Sequence, residues 1–274
     1  AFIANAGGGV ALGFAGKEYA GGLLVNAYTL NSLRITADTS FTYPNVLDNT
    51  SSLDFRGIQV VEIGIPLAKK FDLGGQKIAV GLTPKYVKVK TNEFSVLLAT
   101  ASDSDFTESA TAQPEETGFN VDVGASWGIG NGWRAGLVGR NLVSRDYATV
   151  NGNTITLAPQ YRAGVAYNHD WVTVALDADL NENDPVGFES PSQMIALGLE
   201  FNIFNFLQLR TGYLHNLKAA ANIDEPGSYT AGVGLNVFGV HVDAAAMTNG
   251  NENDLGVYAQ LGIGGSSAPP LDPA

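Results

Sequence analysis

Of 274 residues, 33 are glycine and only 15% are charged, well below the roughly 25% usual in soluble domains. Acids outnumber bases 27 to 15, for a net charge of −12, so the chain lacks the basic face that a nucleic-acid partner requires. Cysteine is absent, which excludes disulfide scaffolds, thiolate metal sites and thiol catalysis, and a hydrophobic share of 45% is too apolar for a disordered chain.

No apolar run reaches the roughly 18 residues of a membrane helix. The opening Ala1–Ala6 has neither a basic region nor a long apolar one, so any signal peptide is expected to have been removed. Period-2 alternation carries the secondary structure instead. In chain order, strands are predicted at about 8–15, 19–30, 56–70, 76–90, 118–127, 133–142, 159–167, 170–180, 193–203, 206–216, 228–238, 239–247 and 254–263. Phe119, Val121, Val123, Ala125 and Trp127 line one face of their segment, and Asn120, Asp122, Gly124 and Ser126 line the other. Ile195, Leu197, Leu199, Phe201 and Ile203 repeat the rule against Ala196, Gly198, Glu200 and Asn202. Pleated strands place such sets on opposite faces, whereas a helix would scatter them.

The connections alternate. Short turns such as Asp72-Leu73-Gly74-Gly75 and Asn168-His169 are separated by stretches of roughly 25, 27, 16, 12, 11 and 6 residues. Short turns at one end and long loops at the other predict a single up-and-down antiparallel β-barrel over 1–263, followed by a Pro/Ser/Gly-rich tail over 264–274. Such barrels usually have even strand numbers, so 12–14 strands are expected, with Leu33–Tyr43 or residues 1–7 as sources of an extra one. Trp127, Trp133, Trp171, Tyr161 and Tyr167 fall near strand ends, as the aromatic girdles of a membrane barrel would.

The polar strand face carries Glu62, Lys85, Asp122, Arg134, Arg140, Arg162, Asp177, Asp179, Glu200, Arg210 and Asp243, six acids against five bases. Such a balance predicts cross-strand pairing inside the barrel, with Arg210 serving Glu200 and Asp177 or Asp179. A selective ion path would show one dominant sign. The acidic excess lies in the long loops: Glu93, Asp103, Asp105, Glu108, Glu115 and Glu116 over 91–117, then Glu182, Asp184 and Glu189 over 181–192. These loops are candidates for loosely held divalent cations or for a plain hydrated surface, and are long enough to fold over the barrel mouth. No cofactor is expected.

No catalytic pattern emerges. His169, His215 and His241 are scattered, and no serine sits in a nucleophile context beside the His241/Asp243 face. Asn181–Asp184 and Asn251–Asp254 lack the spacing of a calcium loop, and Gly128–Gly132 leads into a strand where a dinucleotide site needs a helix. The paired carboxylates Asp177 and Asp179 are matched by nearby arginines instead of set in a cleft. The chain is expected not to be an enzyme.

Several strands resemble the conjugative-transfer TraF-like family of outer-membrane barrels. The resemblance is carried in order by Glu62–Ala68, Val80–Tyr86, Gly118–Ala125, Gly136–Leu142, Ala158–Tyr167, Ala175–Asn181, Leu197–Phe201 and Leu207–Tyr213. It spans about residues 8–263 and implies an architecture similar to fatty-acid-porin-type channels. It implies an outer-membrane protein with a structural or porin-like role, partnered by outer-membrane lipid and conjugation machinery. The proline-rich tail after Ile263 keeps a second reading open: a secreted barrel that assembles with copies of itself at the cell surface or outside the cell.

Overall fold

The computed structural model of the chain describes residues 2–40, 49–101, 114–204, 206–218, 227–238, 240–250 and 255–263. It is all-β. In chain order the strands are β1 (Phe2–Ala15), β2 (Tyr19–Thr36), β3 (Ser52–Gly64), β4 (Leu67–Leu73), β5 (Gln76–Leu97), β6 (Glu115–Gly130), β7 (Trp133–Arg140) and β8 (Arg145–Ala148). They continue as β9 (Thr154–Leu157), β10 (Gln160–His169), β11 (Val172–Asp179), β12 (Met194–Ile203), β13 (Leu207–Asn216), β14 (Ser228–Val237), β15 (Val240–Thr248) and β16 (Leu255–Ile263).

Fourteen of these form one antiparallel sheet in the order β1-β2-β3-β5-β6-β7-β10-β11-β12-β13-β14-β15-β16, with β4 beside β2 and β5. β8 and β9 pair only with each other. β3 and β4 lie end to end between β2 and β5, interrupted at Ile65-Pro66, where proline has no N–H to give the ladder. The predicted strand 56–70 is therefore two strands sharing one place, and the sheet is thirteen places wide. Residues 2–7 belong to β1 and 33–36 to β2, so neither supplies an extra strand. Residues 264–274 lie outside the described ones.

An odd number of alternating places has a geometric consequence. β1 and β16 run in the same direction, so a direct pairing of these two edges would be parallel. Among the described residues each pairs on one side only.

The short connections have the turn chemistry their sequences demand. Gly74 and Gly75 take φ of 64° and 85°, the twist that joins β4 to β5, and Asp72 Oδ1 accepts from the Gly75 N–H at 3.0 Å. At the opposite end β2, β3, β5 and β6 run on past their neighbours. β5 has 22 residues against 8 in β7, so one wall of the sheet stands taller.

Outward aromatic side chains gather toward the strand ends: Phe119, Tyr161, Tyr213 and Tyr229 lie toward the loop ends of β6, β10, β13 and β14, with Tyr86 beside Phe119, and Tyr19, Phe71, Trp127, Trp133, Tyr167 and Phe201 lie toward the turn ends of β2, β4, β6, β7, β10 and β12. Trp133 packs on Tyr167 at 4.9 Å, Trp171 on Phe201 at 5.8 Å and Tyr213 on Tyr229 at 5.1 Å. Phe119 and Trp127 sit eight residues apart on β6, ~26 Å along a strand. From Phe119 to Trp127 the outward residues of β6 carry no Asp, Glu, Lys or Arg, and Lys69 on β4, level with Val80, is the one outward charge on the described strands turnward of Lys88. On the loop side of Phe119 charge returns, with Lys88 and Lys90 both pairing with Glu115 at 2.7 and 3.2 Å.

Candidate functional site

The opposite face of the sheet is the site. Strand parity puts all eleven charges of the predicted inner set on it, and the structure joins most of them into three clusters. At its centre, Lys85 on β5 donates to Glu62 Oε1 on β3 (2.8 Å) and to Asn141 Oδ1 (2.9 Å), and pairs with Asp122 Oδ1 on β6 (2.9 Å). The Lys85 and Glu62 side chains are 1% and 2% exposed, which makes this the driest ion pair described. Asn26 on β2 adds a hydrogen bond to Glu62 Oε2.

A second cluster forms where Arg162 on β10 meets Asp179 on β11 at 2.7 Å. Asp179 also accepts from the Asn183 side chain and the Met194 backbone, so it fixes both ends of the segment linking β11 to β12. The third joins Glu200, Arg210 and Asp243 across β12, β13 and β15. Here the expected partners need correction: Arg210 meets Glu200 and Asp243, and Asp179 belongs to Arg162. Gly234 on the intervening β14 explains the reach. A Cβ there would lie 2.6 Å from Asp243 Oδ1 and 3.2 Å from Arg210 Nη1, so only glycine leaves the route open. Arg134, Arg140 and Asp177 face the same side without an ion pair to another described residue. Arg134, Arg162 and Asp177 line a cavity of about 500 Å³ floored by Gly81, Gly124, Gly136 and Gly164.

Because the Arg210 side chain is 42% exposed, Arg210→Ala is expected to cost only about 1 kcal/mol, read as a small fall in denaturant midpoint. A loss several times larger would show that the cluster is drier in its native setting.

The loop end of this face is filled. After β7 the chain turns inward at Asn141, which adopts φ of 53° while its N–H donates to Asp122 Oδ1. The β8–β9 hairpin then lies on the tall wall. Tyr147 and Ile155 pack with Ile58, Val60, Val87 and Val89 in the buried apolar cluster. Thr91 donates to the Ala148 carbonyl at 2.7 Å. Glu93 accepts from Arg56 (2.7 Å), Thr149 and Asn153, pinning the hairpin tip to β5.

A second segment, 180–193, crosses from β11 to the β2–β3 wall. Val186 packs on the same apolar cluster, the Phe188 N–H donates to Ser32 Oγ at 3.2 Å, and the Arg34 guanidinium lies 4.2 Å over the Phe188 ring. β2 and β11 are six places apart in the sheet, ~29 Å if it were flat. Phe188 is held within a few residues of β11 and β12 by the Asn183–Ser192 bridge, so its contacts with Ser32 and Arg34 mean that the sheet curls around this face.

Sequence reasoning missed this plug. The connection 143–158 was expected to be an ordinary loop, and Glu93, Glu115 and Glu116 were assigned to an acidic loop. The structure puts these three in β5 and β6, with Glu93 buried. The signal available was Tyr147, Ile155 and Leu157 flanking Asn151-Gly152-Asn153, an apolar hairpin pattern inside a long connection. Of the acidic loop itself, residues 102–113 lie outside the described ones, so its role as a lid does too. Among the described residues no cluster of three or more His, Asp or Glu is arranged to hold a metal ion.

Burial alone would raise the Glu93 carboxyl, but hydrogen bonds from Thr149, Arg56 and Asn153 outweigh it and hold the group below the usual glutamate range. A depressed folded value stabilises the protein above the unfolded value of about 4.3, and that share is lost as pH falls through the folded value. The hairpin is therefore expected to stay docked at neutral pH and to loosen only below about pH 4. Amide exchange in residues 145–157 followed against pH checks this: loosening that begins near pH 6 would contradict it.

These features define an all-β protein: one large antiparallel sheet with a mostly apolar, aromatic-bearing face and a charged face, the latter covered at its loop end by two inward segments. A family model described as the F plasmid transfer operon TraF protein matches residues 1–179, roughly two thirds of the chain. The chain belongs to that family, which associates it with conjugative transfer. No curated protein matches it.

Proposed function

We propose that this protein is a non-enzymatic outer-membrane barrel with a structural or porin-like role in conjugative transfer. The observation that carries this reading is the outer face. On β6 it is uncharged from Phe119 to Trp127, ~26 Å along the strand, is flanked there by aromatic rings, and meets charge again at Lys88, Glu115 and Lys90, which is the composition of a lipid-facing belt. Lys69, 5.0 Å from the Tyr19 ring and 5.2 Å from the Phe71 ring, lies among the turn-side aromatics as an interfacial lysine does. Membership of the TraF family supports conjugation machinery as the partner. No catalytic role is assigned, since Asp243 beside His241 is committed to Arg210. On this reading the barrel closes through a parallel β1–β16 seam.

A second reading has one observation in its favour. All fourteen residues of β1 are exposed, and an uncharged edge of that length invites pairing with another copy in an extracellular assembly. Fractionation of the native protein separates the two. Sedimentation with outer membrane, together with a folded band that shifts on heating in detergent, supports the barrel. Release into the medium as large particles overturns it in favour of the assembly.

A further inference from the structure

Two inward segments from different parts of the chain meet at one side chain. Two N–H groups of Arg56 donate to Glu93 Oε1 at 3.1 and 2.7 Å, and Glu93 is also the acceptor for Thr149 and Asn153 of the β8–β9 connection. The same guanidinium lies 5.5 Å from the Phe188 ring of the 180–193 segment, which Arg34 (4.2 Å), Ser32 Oγ and the packing of Val186 also hold. Among the described residues neither segment adds a strand to the wall. β8 and β9 have four residues each, too few to hold a hairpin alone, and they join no strand of the large sheet. Their grip consists of a small apolar cluster, the Thr91–Ala148 hydrogen bond, the Arg145–Glu116 ion pair at 3.6 Å and the polar contacts that converge on Glu93. Segments anchored this thinly are the ones that open locally before the rest of a fold.

We propose that the hairpin and the 180–193 segment form one displaceable gate at the loop end, latched by Arg56, so that losing the Arg56–Glu93 contact frees both together. That the freed gate opens a path through the lumen rests on the barrel reading above; the latch itself does not.

The absence of cysteine allows a direct test in the full chain. Ile155→Cys reports on the hairpin and Val186→Cys on the crossing segment, each probed with a water-soluble maleimide. Adding Arg56→Gln is expected to accelerate labelling at both sites by about tenfold or more, since a charge-assisted hydrogen-bond network is removed. Asn153→Ala leaves Arg56 and Glu93 joined and is expected to accelerate the Ile155→Cys site alone. Acceleration at only one site with Arg56→Gln, or at neither in a protein that keeps its folded mobility, overturns the latch. If Arg56→Gln does not fold, Arg56→Lys keeps the charge but loses the second donor nitrogen and the flat guanidinium face. It should accelerate both sites to a lesser degree, and no change at either overturns the proposal. Planar-bilayer recording answers the other question. Faster labelling with new conductance supports gate and path together, whereas faster labelling without conductance keeps the latch and rejects the path.

Discussion

Replacing Lys85 with methionine is expected to cost about 3–5 kcal/mol, the largest loss of any single charge on the inner face. The ammonium is 1% exposed and stands between Glu62, itself 2% exposed, and Asp122. Methionine fills a similar volume but leaves two carboxylates facing each other in a dry setting, with Asn141 Oδ1 losing its donor as well. The denaturant midpoint of Lys85→Met should therefore fall steeply, and Glu62→Gln added to it should restore part of the loss by removing one of the stranded charges. Double-mutant coupling near zero would show that the triad contributes geometry but no net energy.

An arginine scan down the outer face should give a depth profile. At Val123, midway between Phe119 and Trp127, and at its outward partner Leu82, arginine is expected to cost about 2–4 kcal/mol for folding into lipid vesicles, and at Thr117, level with Lys88, about 0–1. The physical cause is the price of carrying a guanidinium into hydrocarbon, which falls off toward the interface. A flat profile, with Val123→Arg as harmless as Thr117→Arg, would mean that the belt faces water or another protein copy, and the membrane reading would fail.

Much of this was legible in the chain itself. Alternation such as Phe119–Trp127 or Ile195–Ile203 identifies a strand and its two faces without any tertiary information, because successive side chains of an extended backbone must point opposite ways. Each of the thirteen predicted segments corresponds to a place in the sheet, and Glu62, Lys85, Arg210 and the other inner charges share a face for that reason alone. The short turns were also readable, since Gly74-Gly75 supplies the positive φ that a tight hairpin needs.

Strand ends and charge partners were not. β2, β3, β5 and β6 run past the predicted boundaries into polar sequence, because neighbouring strands and the docked hairpin satisfy backbone and side chains there that would otherwise favour a loop. Glu93 looked like one more acid in an acidic stretch, and only the arrival of Arg56, Thr149 and Asn153 from elsewhere makes its burial affordable. Arg210 pairs with Asp243 because β15 lies two places away and Gly234 leaves the gap between them clear. Periodicity along one strand thus determined which face each residue of this protein takes. Strand order, register and the curl of the sheet decided which of those residues meet, since they depend on segments as far apart as Ser32 and Phe188 arriving at the same place.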